Sequence, residues 1–268
     1  MILTIDAGNS RTKWGVFDGW HALIATGVFV NNEYPTAPPA IWATCHNAIV
    51  ACVASEAVAD DISRLVYMLG ISARFIKSTA TACGVKNNYD NPAQLGVDRW
   101  AAVIAAWQLT KAPCVVVNAG TAVTVDAVAI RQDSVNSHKQ GVFMGGLILP
   151  GLQLMQTSLL GNTAQIQAGH AAMLQAFPTN TANAMHTGAV TAVLGLIKAM
   201  MSQLQVTHKD PVSCILSGGD TAVFAAALEN YLPIKLATPL IVDPYLVLKG
   251  LLFLNDGTED YQHSNHEN

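Results

Sequence analysis

Short apolar runs alternate with polar turns along most of the chain, a pattern of strands and helices in an α/β protein. Residues 1–17 read as strand, tight turn, strand: MILTI runs into Asp6, a polar loop follows, and KWGVF alternates. Residues 21–30 continue as a strand, and residues 31–39, rich in Asn and Pro, as a loop. Residues 48–55 have a buried-strand pattern, 58–69 a helical one, and 73–76 that of a short strand. Residues 83–95 are polar and read as a structured loop, while 98–109 have helical spacing with no breaker. A second series opens at Cys114: a strand through Val115, Val116 and Val117, a turn at Ala119–Gly120, and a strand over 123–130. Residues 131–139 read as a hairpin or loop, and 141–148 as a Gly-rich apolar stretch. Helices are predicted near 152–159, 180–205, 223–228 and 245–254, with a buried strand at 212–216.

The two halves open alike, with LTIDAGNSRTKWGVF and VVVNAGTAVTVDAV. Duplication explains this; two independent β-hairpins explain it equally well. The expected division is residues 1–111, residues 112–254 and a polar tail over 255–268.

Composition narrows the classes. The chain has 268 residues, 51% hydrophobic and only 12% charged, with net charge −4. A disordered chain shows the reverse balance, and a non-specific nucleic-acid binder needs a basic surplus. The five cysteines are odd in number and never CxxC, which argues against a disulfide framework or a zinc knuckle and for a reducing, cytoplasmic setting. The N-terminus reads as a strand rather than a signal peptide, and glycines, Pro150 and polar residues interrupt the apolar stretch over 141–160, so no membrane role is expected. Between Lys139 and Lys198 there is no Asp, Glu, Lys or Arg. Exposed helices carry charge, so this segment is either a dimer interface or a helix covered by its own chain.

Four strings can carry chemistry. In Asp6-Ala7-Gly8-Asn9-Ser10-Arg11-Thr12-Lys13, an acid ends a strand, Gly8 opens the turn, and hydroxyl, amide and amine donors follow. Such a turn suits a phosphate with Mg²⁺ held by Asp6 through water. It is not a Walker A loop, and an ordinary Asp–Gly hairpin is the plain alternative. Asn118-Ala119-Gly120-Thr121 repeats the arrangement, and Ser217-Gly218-Gly219-Asp220 follows a buried strand. In Gly96-Val97-Asp98-Arg99, Asp98 is a general base beside a cationic anchor, or an N-cap beside a solvated arginine. The histidines, among them His21, His46, His138, His170, His186 and His208, form no metal-ligand pair and read as structural or surface residues.

In order, DAGNSRTK, LGVDR, NAGTAVTVD and GGLILPG resemble the type III pantothenate kinases. The resemblance runs from Ile2 to about Leu254 and takes in Tyr89, Thr181, SGGD and DPYLVLKGLL. It implies an α/β fold of two duplicated ribonuclease H-like, actin-like ATPase domains with a cleft between them. It implies ATP-dependent phosphorylation of pantothenate, the first step of coenzyme A synthesis, by a cytoplasmic homodimer whose substrate site lies at the interface. Carried over by position, Asp98 is the base, and residues Asp6, Ala7, Gly8, Asn9, Ser10, Arg11, Thr12, Lys13 and Thr121 bind ATP and its phosphates. Tyr89, Gly96, Val97, Asp98, Arg99 and Thr181 bind substrate, Thr181 from the partner subunit. Asp6 holds Mg²⁺ through water. Asn118 stands where the family usually has the Asp that helps bind a monovalent cation, K⁺ or NH₄⁺, so K⁺ dependence is expected to be weak or absent. The alternative is a transcriptional accessory factor of the same family without kinase activity; no helix-turn-helix signal or basic patch supports DNA binding.

Overall fold

Two mixed sheets share an order of five strands. The structure, a computed structural model, describes residues 1–31, 33–132, 139–162, 173–208, 211–231 and 238–263. The chain divides into two compact units, Met1–Leu109 with Tyr245–Asn268, and Thr110–Pro244.

In the first unit, β1 (Ile2–Ala7), β2 (Arg11–Phe17), β3 (Leu23–Val30), β4 (Asn47–Cys52) and β5 (Ser72–Phe75) lie in the order β3-β2-β1-β4-β5. The β1–β2 and β2–β3 pairs are antiparallel; β1–β4 and β4–β5 are parallel. Helix α1 (Glu56–Tyr67) makes the crossover from β4 to β5. Its buried residues Val58, Ile62, Leu65 and Val66 fall at helical spacing and pack with Leu3, Ile5 and Ala7, which alternate along β1. Burying Ile62 and Leu65 contributes about 2 kcal/mol each.

A short hairpin, β6 (Thr81–Ala82) with β7 (Val85–Asn87), then leads to α2 (Val97–Thr110). It occupies part of the stretch read from sequence as loop. The last helix, α6 (Leu246–His263), returns to this unit, where Leu248 and Leu252 pack with Phe17 on the face of the sheet opposite α1. A Cβ on Gly250 would stand 1.9 Å from the Ala101 carbonyl oxygen, so only glycine allows α6 to approach α2 this closely. The division expected at 111/112 and 254/255 therefore differs from the structure: residues 245–254 join the first unit, and helix continues through the expected tail to His263.

In the second unit, β8 (Cys114–Ala119), β9 (Ala122–Gln132), β10 (Lys139–Pro150), β11 (Ser213–Gly218) and β12 (Ile241–Val242) lie in the order β10-β9-β8-β11-β12. Again the first two pairings are antiparallel and the last two parallel. Helix α5 (Thr221–Asn230) makes the crossover from β11 to β12, as α1 does between β4 and β5. Same order, same directions and the same crossover make the halves a duplicated ribonuclease H-like fold rather than two unrelated hairpins.

Helices α3 (Leu152–Asn162) and α4 (Thr181–Thr207) follow β10. Helix α4 opens on Asn180, whose side chain accepts the Asn183 N–H at 2.9 Å. By length and composition α4 is apolar enough to cross a membrane, a match that the sequence reading did not anticipate. Here Val190, Val193, Leu194 and Ile197 are fully buried in the core with Val115, Val117, Val123 and Val125 of β8 and β9.

Candidate active site

In the first unit, the turn after β1 is closed by the Gly8 N–H, which donates to the Arg11 carbonyl at 3.1 Å. Antiparallel register sets Asp6 opposite Lys13 and Ala7 opposite Thr12. Strand alternation then sorts the segment onto two faces. Ala7 and Thr12 are fully buried on the α1 side, whereas Asp6 and Lys13 lie on the other face and keep partial exposure. Asn9, Ser10 and Arg11 are exposed at the turn.

Thr12 departs from its expected role. Its hydroxyl donates to Asn31 Oδ1 at 3.0 Å and is also hydrogen-bonded to the Tyr34 hydroxyl. Its proton is spent inside the protein, so Thr12 supports the loop instead of donating to a phosphate.

Burial and then the charge of Asp98 push the Asp6 carboxyl up to about 7, with Lys13 pulling the other way. Asp98 and Lys13 therefore both act electrostatically on Asp6. Asp98 is the second residue of α2, where a carboxylate faces the positive end of the helix. Its Oδ1 accepts the Arg99 N–H at 2.8 Å. Burial raises its pKa, and the Arg99 N–H and guanidinium partly offset this. A Cβ on Gly96 would stand 2.7 Å from Asp98 Oδ1, so the missing side chain at Gly96 leaves the space that the carboxylate occupies.

Arg99 is only 5% exposed, which overturns the reading of a solvated arginine beside a cap. Its guanidinium donates to the Tyr89 hydroxyl at 2.9 Å and lies 5.7 Å from the centre of that ring. Tyr89 sits in a loop tied by Asn87. The buried Asn87 amide donates to the Thr79 and Pro92 carbonyls at 3.2 and 3.3 Å, and its oxygen accepts the Tyr89 N–H at 3.1 Å. Val97 is buried beside this group in the chain.

In the second unit, Asn118 and Thr121 take the places of Asp6 and Asn9. Asn118 pairs with Thr124 across β9 and with Ser217 across β11. Three glycine turns converge on this strand end. A Cβ on Gly218 (φ +102°) would stand 2.2 Å from the Ala119 carbonyl oxygen, and one on Gly151 2.1 Å from that of Gly120. The Gly151 N–H donates to the Thr121 carbonyl at 2.8 Å, and the Asp220 N–H to that of Ala119 at 3.0 Å. Thr121 is exposed at the tip of its turn, and Thr181 is exposed at the start of α4. Thr124 Oγ1 is buried with no hydrogen-bond partner among the described residues, on the same strand face as Asn118 and the buried Asp126.

The family model described as type III pantothenate kinase matches residues 2–203. The chain belongs to this family. A type III pantothenate kinase of Methylobacillus flagellatus is 39% identical over 256 residues, covering 96% of this chain and 98% of the relative. One of Aromatoleum aromaticum is 42% identical over 253 residues, covering 94% and 96%. A solved chain from Campylobacter jejuni, described as a Baf family transcriptional activator, aligns with TM-score 0.58 at 19% identity, covering 96% of this chain and 99% of its own. At that identity the likeness shows a shared fold.

The strings DAGNSRTK and LGVDR, which hold Asp6, Lys13 and Asp98, lie within the matched range. Asn31, Tyr34, Asn87 and Asp126 were not singled out. Asn31 and Tyr34 act through partners 19 to 23 residues earlier in the chain, and Asn87 through partners within its own loop; the one local signal was the excess of Asn in two loops. None of the five cysteines forms a disulfide, and no group of three or more metal-ligating side chains occurs among the described residues. His21 pairs with Asp256 at 2.9 Å and His186 Nδ1 with Gln156 at 3.0 Å, which are structural contacts; His138 and His170 lie outside the described residues.

Proposed function

We infer that this chain is a kinase that transfers the γ-phosphoryl group of ATP to the primary hydroxyl of pantothenate, giving 4′-phosphopantothenate. The observation that carries the mechanism is that the Asp6 carboxyl feels the charges of both Asp98 and Lys13, within a family of kinases. Phosphoryl transfer demands positioning and charge neutralisation more than covalent chemistry. Lys13 and the backbone donors of the Gly8–Arg11 turn offer positive potential to the phosphates. Asp98 accepts the proton of the pantothenate hydroxyl, and burial makes its carboxylate a better base than an exposed one. Arg99 and Tyr89 form the polar wall that holds the substrate, with Gly96 and Val97 shaping it. Thr121 binds ATP.

Asp6 fits a divalent ion: a carboxylate raised by burial and by a like charge is relieved by a cation. It would hold Mg²⁺ through water, and the ion would neutralise charge on the phosphates. At Asn118 the amide and Thr124 Oγ1 offer neutral oxygens, with the buried Asp126 carboxylate farther along the same strand face. These suit a weakly held monovalent cation, K⁺ or NH₄⁺, and support weak K⁺ dependence.

The occupant proposed for the charge-free segment is a second copy of the chain. Met144, Leu147 and Ile148 of β10, Leu154 and Leu159 of α3 and Phe177 are exposed there without a charged neighbour in sequence between Lys139 and Lys198. A homodimer would cover them and bring in Thr181 of the second copy to the substrate. Its setting is cytoplasmic, where ATP and reduced cysteines are both found.

The test is ATP-dependent phosphorylation of labelled pantothenate with Mg²⁺, in KCl and in NaCl. Product in both salts supports the kinase and the weak K⁺ requirement. Product in KCl alone keeps the kinase and rejects the reading of Asn118. No product from a folded dimer rejects the kinase and favours the accessory-factor reading.

A further inference from the structure

The β1–β2 turn is gripped from outside by residues that follow β3. Asn31 Nδ2 donates to the Gly8 carbonyl at 2.6 Å, and the Asn31 N–H donates to the Ser10 carbonyl at 3.2 Å. Asn31 Oδ1 accepts from the Thr12 hydroxyl at 3.0 Å. A hydroxyl has one proton to give. With that of Thr12 committed to Asn31, the Tyr34 hydroxyl is the donor in its own hydrogen bond to Thr12. A one-way relay results, from Tyr34 to Thr12 to Asn31 to the Gly8 carbonyl. It runs through the fully buried Thr12, where aligned hydrogen bonds strengthen one another.

The relay decides where the loop's backbone points. In a trans peptide the C=O and the following N–H point in opposite directions, and the described chain has no cis peptide. Drawing the Gly8 carbonyl to Asn31 turns the Asn9 N–H away from Asn31. Drawing the Ser10 carbonyl to the same residue does likewise for the Arg11 N–H. A turn that binds phosphate works by presenting such N–H groups at fixed spacing.

We propose that Asn31 and Tyr34 are positioning residues that fix the peptide orientations of the first phosphate loop for ATP. The inference rests on reading residues 6–13 as that loop. It assigns ATP binding, and no part of pantothenate binding, to two side chains that touch neither substrate.

The experiment compares ATP KM, pantothenate KM, kcat and thermal stability in the full-length wild type, Asn31→Asp, Tyr34→Phe and Lys13→Met. Asn31→Asp keeps the acceptor for Thr12 but sets an oxygen against the Gly8 carbonyl. It should raise ATP KM about tenfold or more while pantothenate KM stays within about twofold. Tyr34→Phe removes only the hydroxyl and keeps the ring, whose centre lies 5.5 Å from that of Phe29; it should raise ATP KM about threefold. Lower thermal stability with unchanged ATP KM, or equal rises in both KM values, overturns the proposal. Lys13→Met separates the two levels. If it raises ATP KM and the other two variants do not, the positioning role fails alone. If it too leaves ATP KM unchanged, the phosphate-loop reading has failed and takes the proposal with it.

Discussion

Asp98 raises the proton affinity of Asp6 across the face of the first unit: burial and the Asp98 charge together hold the Asp6 carboxyl near a pKa of 7. Its ordinary value is 3.8. Folding therefore binds a proton more tightly at Asp6 than the unfolded chain does, and stability falls as pH rises from about 4 through about 7. Asp6→Asn removes this penalty. In EDTA, the variant should match wild type near pH 4 and exceed it at pH 8. Asp6 keeps some exposure, so the gain should be toward the lower part of the range, about 2 kcal/mol. Denaturant unfolding at the two pH values measures it, and an equal difference at both would contradict the coupling. The same variant should lose Mg²⁺-dependent turnover.

Asp98→Asn keeps the shape of the side chain and the acceptor for the Arg99 N–H while removing the proposed base. Turnover should fall by about a hundredfold or more, the usual worth of a positioned base. ATP affinity should change little or improve, since a negative charge near the phosphates is lost. Single-turnover kinetics and equilibrium ATP binding separate the two, and equal losses in both would remove Asp98 from the role of base.

Gly96 sets the room in which that base sits. A methyl group at Gly96 would stand 2.7 Å from Asp98 Oδ1, closer than real contacts allow. The carboxylate must rotate and give up its bond to the Arg99 N–H. Gly96→Ala should therefore resemble Asp98→Asn in kcat, with a fall of about tenfold or more, yet leave Arg99 and Tyr89 in place. Pantothenate KM within about twofold of wild type would agree with that; a collapse of pantothenate KM with kcat preserved would not.

The strands were legible because each sheet has a face covered by helix, so apolar residues recur at every second position. Leu3, Ile5 and Ala7 show it in β1, whereas β8 is buried on both faces and was legible as the continuous run Val115, Val116 and Val117. The duplication was visible only as two similar strings; pairing directions, which are contacts between distant strands, decide it. The β6–β7 hairpin was missed because strands of two and three residues have no period to detect. The end of α6 was missed because Asn255 and Asp256 look like a tail. Asn255 is instead buried, and Arg74 donates to its oxygen at 3.2 Å. In the candidate site, Asp98 and Lys13 are proposed from local strings alone. The burial of Arg99 depends on Tyr89, ten residues earlier on a separate loop, and the inward turn of Thr12 depends on Asn31 and Tyr34. No local pattern encodes either.

That loop rests on Asn87, whose amide ties its two ends while its oxygen holds the Tyr89 N–H. Asn87 is only 4% exposed, so no water replaces these bonds when the side chain is cut back. Asn87→Ala leaves the Thr79 and Pro92 carbonyls and the Tyr89 N–H short of a partner, at a cost of about 2–3 kcal/mol. The functional effect should fall on one substrate. With Tyr89 no longer held against Arg99, pantothenate KM should rise about tenfold, while ATP KM should stay within about twofold. Tyr89→Phe, which keeps the loop and removes the hydroxyl that accepts from Arg99, should reproduce part of the rise with little loss of stability. If Asn87→Ala destabilises the protein and leaves pantothenate KM unchanged, Tyr89 does not contact the substrate, and the loop serves the fold alone.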